Sequence, residues 1–121
     1  MMSEKDSTYE SLRKWILQLP KVNEAPHRFG GTEFQVDGVE FMHSHGPTWL
    51  DIRLSKEDQA AALKNGEALR HRFAPQAGWI SFRIGKFEDL STAKKIIQLA
   101  YDNARKNVED VITRRTQSKL G

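Results

Sequence analysis

The sequence predicts an α+β domain: an antiparallel four-stranded sheet with helices packed on one face. Three observations carry that expectation. Thr32 to His45, TEFQVDGVEFMHSH, sets Asp37-Gly38 between two runs of strand character, the residue pair of a two-residue type I′ hairpin. Trp49 to Leu54 and Gly78 to Ile84 alternate apolar and polar residues, as half-buried strands do. A long C-terminal stretch repeats apolar residues at helical spacing. The resulting order is α-β-β-β-α-β-α. Each strand offers one apolar face and each helix part of one, so the helices are expected to cover one side of the sheet.

Taken in order, residues 1–6 read as a loose tail. Ser7 and Glu10 have the S-x-x-E spacing of a capping box, and Tyr9, Leu12, Ile16 and Leu19 recur at helical spacing until Pro20 closes the helix. KVNEAPHRFGG, with Pro26 and two glycines, reads as an extended or turning connector. In the hairpin, regular pairing outward from the turn opposes Val36 to Val39, Phe34 to Phe41, Thr32 to His43 and Gly30 to His45. One face then carries Phe34, Val36, Val39, Phe41, His43 and His45; the other carries Gln35, Glu40, Met42 and Ser44. His43 and His45 are thereby expected on the inward face, beside room left by Gly30-Gly31.

Gly46-Pro47 marks the next turn, after which Leu50, Ile52 and Leu54 point inward and Trp49, Asp51 and Arg53 outward. Ser55 with Asp58 repeats the capping signal for a short helix through Leu63, ended by Asn65-Gly66. Glu67 to Gln76 fits neither period, although Leu69 and Phe73 suit a helical turn, and Pro75 stops it. In the fourth strand Ile80, Phe82 and Ile84 point inward, Trp79, Ser81 and Arg83 outward. Glu88 and Asp89 suit the positive end of the last helix. Its core stripe runs through Leu90, Ala93, Ile96, Ile97, Ala100, Tyr101, Ala104, Val108, Val111 and Ile112. Residues 115–121 read as a loose basic tail, and residues 1–121 as a single domain.

With 38% hydrophobic and 29% charged residues the chain is composed like an ordinary globular domain, not a disordered one. A formal charge of +3 permits an anionic partner without demanding one. The absence of cysteine removes disulfides and thiolate sites, so any metal must use His and carboxylate ligands. No apolar run approaches the ~18 residues of a membrane span, and MMSEKDSTYES has no apolar signal region. The expected location is therefore cytoplasmic, with no membrane partner.

PHRFGGTEFQVDGVEFMHSHG, then LDIRLS, HRF, GWISFRI and the late LAY, resembles a family of small proteins described as luciferase domain, over roughly Pro20 to Tyr101. The matching positions are His27, Arg28, Gly30, Gly31, Glu33, Phe34, Glu40, His43, His45, Asp51, His71, Gly78, Trp79, Arg83 and Tyr101. No flavin or nucleotide fingerprint accompanies them, so no cofactor is expected. More loosely, the element order and the GWISF strand look like the MmcQ/YjbR proteins. That likeness implies a double-wing fold, for which DNA binding has been suggested.

Four histidines from three segments give the leading expectation: a small, non-enzymatic binding domain. Its pocket is formed by His27, His43, His45 and His71, with Arg28, Arg70 and Arg72 supplying positive charge for an anionic small molecule. This reading includes no metal. In the alternative, His27, His43, His45 and His71 hold a metal ion in an enzyme. His43 and His45 project the same way about 6–7 Å apart, but regular pairing turns Glu40 and Asp51 to the opposite face. The blandest alternative is histidines at the core rim, bonded to backbone and to each other.

A further reading places single-stranded nucleic acid on the outward Trp49, Arg53, Trp79 and Arg83, or on the basic C-terminal helix with Lys94, Lys95, Arg105, Lys106, Arg114, Arg115 and Lys119. The same sheet face also suits a homodimer. No catalytic residue is assigned, since no serine lies in an elbow motif and the glycines match no phosphate-binding loop.

Overall fold

Ser3 starts the first helix, not Ser7: its hydroxyl accepts from the Asp6 backbone N–H. Helix α1 is Glu4–Leu17 and buries Thr8, Leu12 and Ile16. The computed structural model describes the backbone of residues 2–120 and the side chains of residues 2–110. Beyond α1 come β1 (Val22–Pro26), β2 (Thr32–Val36), β3 (Val39–His45), β4 (Trp49–Arg53), α2 (Lys56–Lys64), β5 (Leu69–Arg70), β6 (Trp79–Arg83) and α3 (Leu90–Leu120). The α+β class is as expected, but the sheet has six strands rather than four, in the order β1-β2-β3-β4-β6-β5, with every neighbour antiparallel.

The two additional strands are edges. The expected connector is β1, paired along β2 from Val22↔Val36 to Pro26↔Thr32. An edge strand needs hydrogen bonds on one side only, so Pro26 is tolerated at its end. The ambiguous stretch after α2 contributes β5, two residues beside Ser81 and Ile80. Neither segment alternates clearly, because neither lies over the middle of the core. The expected tails are largely helical: residues 4–6 open α1, and residues 115–120 continue α3.

The turn at Asp37 and Gly38 has positive φ at both residues (51° and 80°), as its type requires. Pairing starts as expected with Val36↔Val39 and Gln35↔Glu40, then shifts to Phe34↔Met42, Glu33↔His43 and Thr32↔Ser44. Phe41 is the extra residue of a β-bulge. It and Met42 are both buried, with Phe41 edge-on to Tyr101 at 5.9 Å between ring centres. From Met42 onward every side chain of β3 therefore lies on the face opposite to the one regular pairing gives. Two adjacent apolar side chains enter the core, and two imidazoles avoid the desolvation that burial among aliphatic groups would impose.

The core lies between the helices and one face of the sheet. Phe34, Val36, Met42, Leu50, Ile52, Ile80 and Ile84 meet Leu12 and Ile16 of α1 and Ala93, Ile96, Ile97, Ala100, Tyr101 and Ala104 of α3. Ser44, now inward, shares a 2.7 Å hydrogen bond with the Tyr9 hydroxyl of α1. The Ser55 cap of α2 forms as expected, its hydroxyl accepting from Asp58 N–H. Val111, Ile112, Arg114, Arg115 and Lys119 lie outside the described side chains. Among the described residues no helix is long and apolar enough to cross a membrane.

Candidate functional site

The bulge gathers chemistry on the face of the sheet away from the helices. Partners across a ladder share a face, so Glu33↔His43, His43↔Asp51, His45↔Trp49 and Asp51↔Ser81 form a continuous polar patch over four strands. Asp51 is its centre and is only 5% exposed. Its Oδ1 accepts from Ser81 Oγ (2.7 Å) and Trp49 Nε1 (3.1 Å). Its Oδ2 accepts from His43 Nε2 (3.0 Å), with His45 Nε2 at 3.3 Å and His71 Nε2 at 3.7 Å.

His27 arrives from the turn after β1. That turn is closed by His27 N–H to Gly31 O and Gly31 N–H to Arg28 O, and it presses against β3. A Cβ at Gly31 would lie 2.6 Å from Ser44 O and 3.5 Å from His45 Nδ1. Gly31, not Gly30, therefore makes the room beside His45. The His27 ring stacks on His43 at 3.9 Å between centres. Its Nδ1 is 3.1 Å from Glu33 Oε1 and 3.8 Å from Glu40 Oε1, and His43 Nδ1 donates to that same Glu40 oxygen at 2.7 Å. His27, His43 and His45 each offer a nitrogen within 4.8 Å of the others, and His27, Glu33 and Glu40 form a second such group.

His71 closes the opposite side. Its Nδ1 accepts from the backbone N–H groups of Phe73 (3.1 Å) and Ala74 (2.9 Å), so the neutral ring carries its proton on Nε2, toward Asp51. All four histidines thus meet, though on the outer face and not the inward one. An open cleft of about 470 Å³ lies over His27, His43 and His71, bordered by Pro26, Arg28, Glu33, Glu40, Ala74 and Trp79; His45 does not line it.

Residues 38–100, more than half of the chain, match the family model described as Luciferase domain. The chain belongs to the luciferase domain family. No curated protein matches it. The matched span of this luciferase-domain chain includes Glu40, His43, His45, Asp51, His71 and Trp79, while His27 and Glu33 precede it.

The electrostatics of the site follow from its pairing. Burial opposes charge on His43, but hydrogen bonds to Asp51 and Glu40 outweigh it and raise the ring's pKa to about 9. Burial likewise opposes charge on Asp51, yet His43 and Ser81 hold its pKa at about 2, helped by His71. Glu33 is also held low, by hydrogen bonds from Gln35 and then His27. At neutral pH His43 is an imidazolium between two carboxylates, unlike an exposed histidine.

Not every expected site residue joins this cluster. Arg70 pairs with Ile80 and lines a separate groove with Gln59, Leu63, Pro75 and Gln76. Arg72 lies over the Phe73 ring at 5.5 Å. Only Arg28 of the three expected arginines borders the cleft. The nucleic-acid set shares the outer face with the histidines: Arg83 stacks on Trp49 (5.3 Å), Arg53 Nε donates to Ala77 O, and Trp79 packs 5.1 Å from His43 and 5.9 Å from His71. Met42, expected with that set, is in the core.

Sequence reasoning missed Glu33 and Ser81 as members of the site and turned Glu40 and Asp51 away from it. The available signal was Phe41-Met42, two adjacent apolar residues interrupting an alternating strand, where an extra residue belongs.

Proposed function

We propose that this chain is a small binding domain built around a divalent first-row transition-metal ion held by His27, His43 and His45, with Glu33 and Glu40 beside them. The observation that carries the reading is the mutual approach of those three imidazoles to within 4.8 Å. Imidazole and carboxylate donors suit Zn²⁺, Fe²⁺, Ni²⁺ or Mn²⁺. Asp51 fills the supporting role: it orients His43 and His45 through Nε2, leaving Nδ1 of His45 for an ion, while Nδ1 of His43 would have to give up the proton it now shares with Glu40.

Charge decides between a cation and an anion alone. Three carboxylates, Glu33, Glu40 and Asp51, surround the His43 imidazolium, and of the three expected arginines Arg28 alone borders the cleft while Arg70 and Arg72 stand apart. A divalent ion neutralises such a cluster; a free anion is repelled by it. The reading assigns binding and no reaction.

Elemental analysis of untagged protein, followed by calorimetric titration with Zn²⁺, Ni²⁺ and Mn²⁺, is the test. Wild type is expected to take up about one ion per chain. A His27→Ala/His45→Ala variant should take up none while keeping its circular dichroism spectrum, since neither ring belongs to the core. Wild type that holds no stoichiometric metal and binds none of the three ions ends the reading.

A further inference from the structure

We infer that the cleft holds a second cation seat, formed by His27, Glu33 and Glu40, which takes the hard divalent ion Mn²⁺ and shares His27 with the three-imidazole seat. It rests on the metal reading above and adds where a second kind of ion binds and what excludes it.

The ligand atoms are close enough for one ion. His27 Nδ1 lies 3.1 Å from Glu33 Oε1 and 3.8 Å from Glu40 Oε1, and each residue offers a ligand atom within 4.8 Å of the others. Two ligands held about 2.1 Å from a metal stand roughly 3.0–3.4 Å apart in octahedral or tetrahedral geometry. The shorter separation already fits, and the longer needs only a small closure. The ligands are also braced. Gln35 Nε2 donates to the other oxygen of Glu33 at 2.7 Å, which leaves Oε1 turned to His27. The His27 ring stacks on His43, and its backbone N–H closes the turn on Gly31 O. Glu40 Oε1 is held by His43 Nδ1, and a carboxylate oxygen with two lone pairs can accept that bond and a metal together.

Donor type and access separate the two seats. One nitrogen and two carboxylate oxygens suit Mn²⁺, whereas three imidazoles suit Zn²⁺ or Ni²⁺. His27, Glu33 and Glu40 all line the cleft, and His45 does not. An ion on the carboxylates therefore keeps positions open to the cleft, where a hard cation retains water or takes an oxygen ligand. It also leaves His43 hydrogen-bonded to both Glu40 and Asp51, whereas the three-imidazole seat must break the contact at Nδ1. A neutral imidazole binds a metal through one nitrogen, so His27 serves one seat at a time. Zinc and manganese then exclude each other.

Metal-free, untagged protein titrated with Mn²⁺ alone, read by loss of the free-ion paramagnetic resonance signal, and with Zn²⁺ alone, read by calorimetry, tests this. Wild type should bind one ion of either kind, and Zn²⁺ should displace Mn²⁺ mole for mole. Glu33→Gln should weaken Mn²⁺ binding by about tenfold or more, at least what loss of an outer partner costs a metal site, and change Zn²⁺ binding by less than about threefold. His45→Ala should do the reverse, because that ring belongs to the other seat. Both variants should keep the wild-type circular dichroism spectrum, since neither side chain is in the core. Affinities for the two ions that fall together in either variant overturn the second seat and leave the metal reading standing. So does wild type that holds both ions at once, or that binds zinc and no manganese. Wild type that binds none of Zn²⁺, Ni²⁺ and Mn²⁺ overturns both.

Discussion

At Asp51 one buried carboxylate holds side chains from three strands and a loop: His43 and His45 of β3, Trp49 of its own strand, Ser81 of β6 and, at longer range, His71. Asp51→Asn keeps the shape but removes the charge paired with His43 and sets an amide NH₂ either against His43 and His45 or against Ser81 and Trp49, so one of these two sets of donors loses its acceptor. Removing one partner of a buried pair in this way should cost about 3 kcal/mol of stability. The pH dependence in the presence of chelator follows from the same contacts. Asp51 is depressed from 3.8 to about 2, so its contribution is present above 3.8 and lost as pH falls toward 2. His43 is raised from 6.5 to about 9, so its contribution is full below 6.5 and lost as pH rises through 9. Urea midpoints should therefore peak between pH 3.8 and 6.5 and decline on either side, with both limbs shallower in Asp51→Asn. A variant with the wild-type midpoint at pH 6 would show that the carboxylate is not the hub.

Among the elements, the bulge in β3 and the turn after β1 decide where the site forms. Gly31 allows that turn to lie on β3, because a Cβ there would meet the Ser44 carbonyl at 2.6 Å, and a backbone atom yields little. Gly31→Ala should lower stability by about 1–3 kcal/mol and weaken zinc binding by moving His27 off His43. Gly85→Ala, where a Cβ meets nothing within 4 Å, should be neutral to about 0.5 kcal/mol in the same denaturation experiment. A Gly31→Ala variant as stable and as tight for zinc as wild type would remove the turn from the account. The legibility of the sequence divides along the same lines. Asp37-Gly38 specified its turn because few other pairs accept positive φ twice, and β4 and β6 alternated cleanly because their inner faces lie on the middle of the core. The stretch Val22–Pro26 hid its strand, since an edge is held mostly by backbone bonds that side chains do not advertise. The direction of His43 and His45 was wrong for one reason: a single extra residue reverses everything beyond it, and Phe41 is apolar in either register.

Across the whole molecule the sheet is unequally dressed. The helices bury one face in the hydrophobic core, while on the other the His27–Gly31 turn and the His71–Ala74 loop border an open cleft. On that open side cohesion comes from hydrogen bonds and ion pairs, which contribute less per contact when partly exposed. An ion held by His27, His43 and His45 would tie the turn after β1 to β3, joining parts that are otherwise connected on this face by side-chain contacts. Because the unfolded chain lacks the assembled site, binding adds to folding stability. At a free ion concentration about a hundredfold above Kd the gain is about 2.7 kcal/mol. For a domain of this size that corresponds to a rise in Tm of about 10 °C. Scanning calorimetry with and without Zn²⁺ should show that rise in wild type and none in His27→Ala/His45→Ala. Superimposable wild-type traces at saturating zinc would mean that hydrogen bonds alone hold the open face together, with His43 acting as their permanent cation.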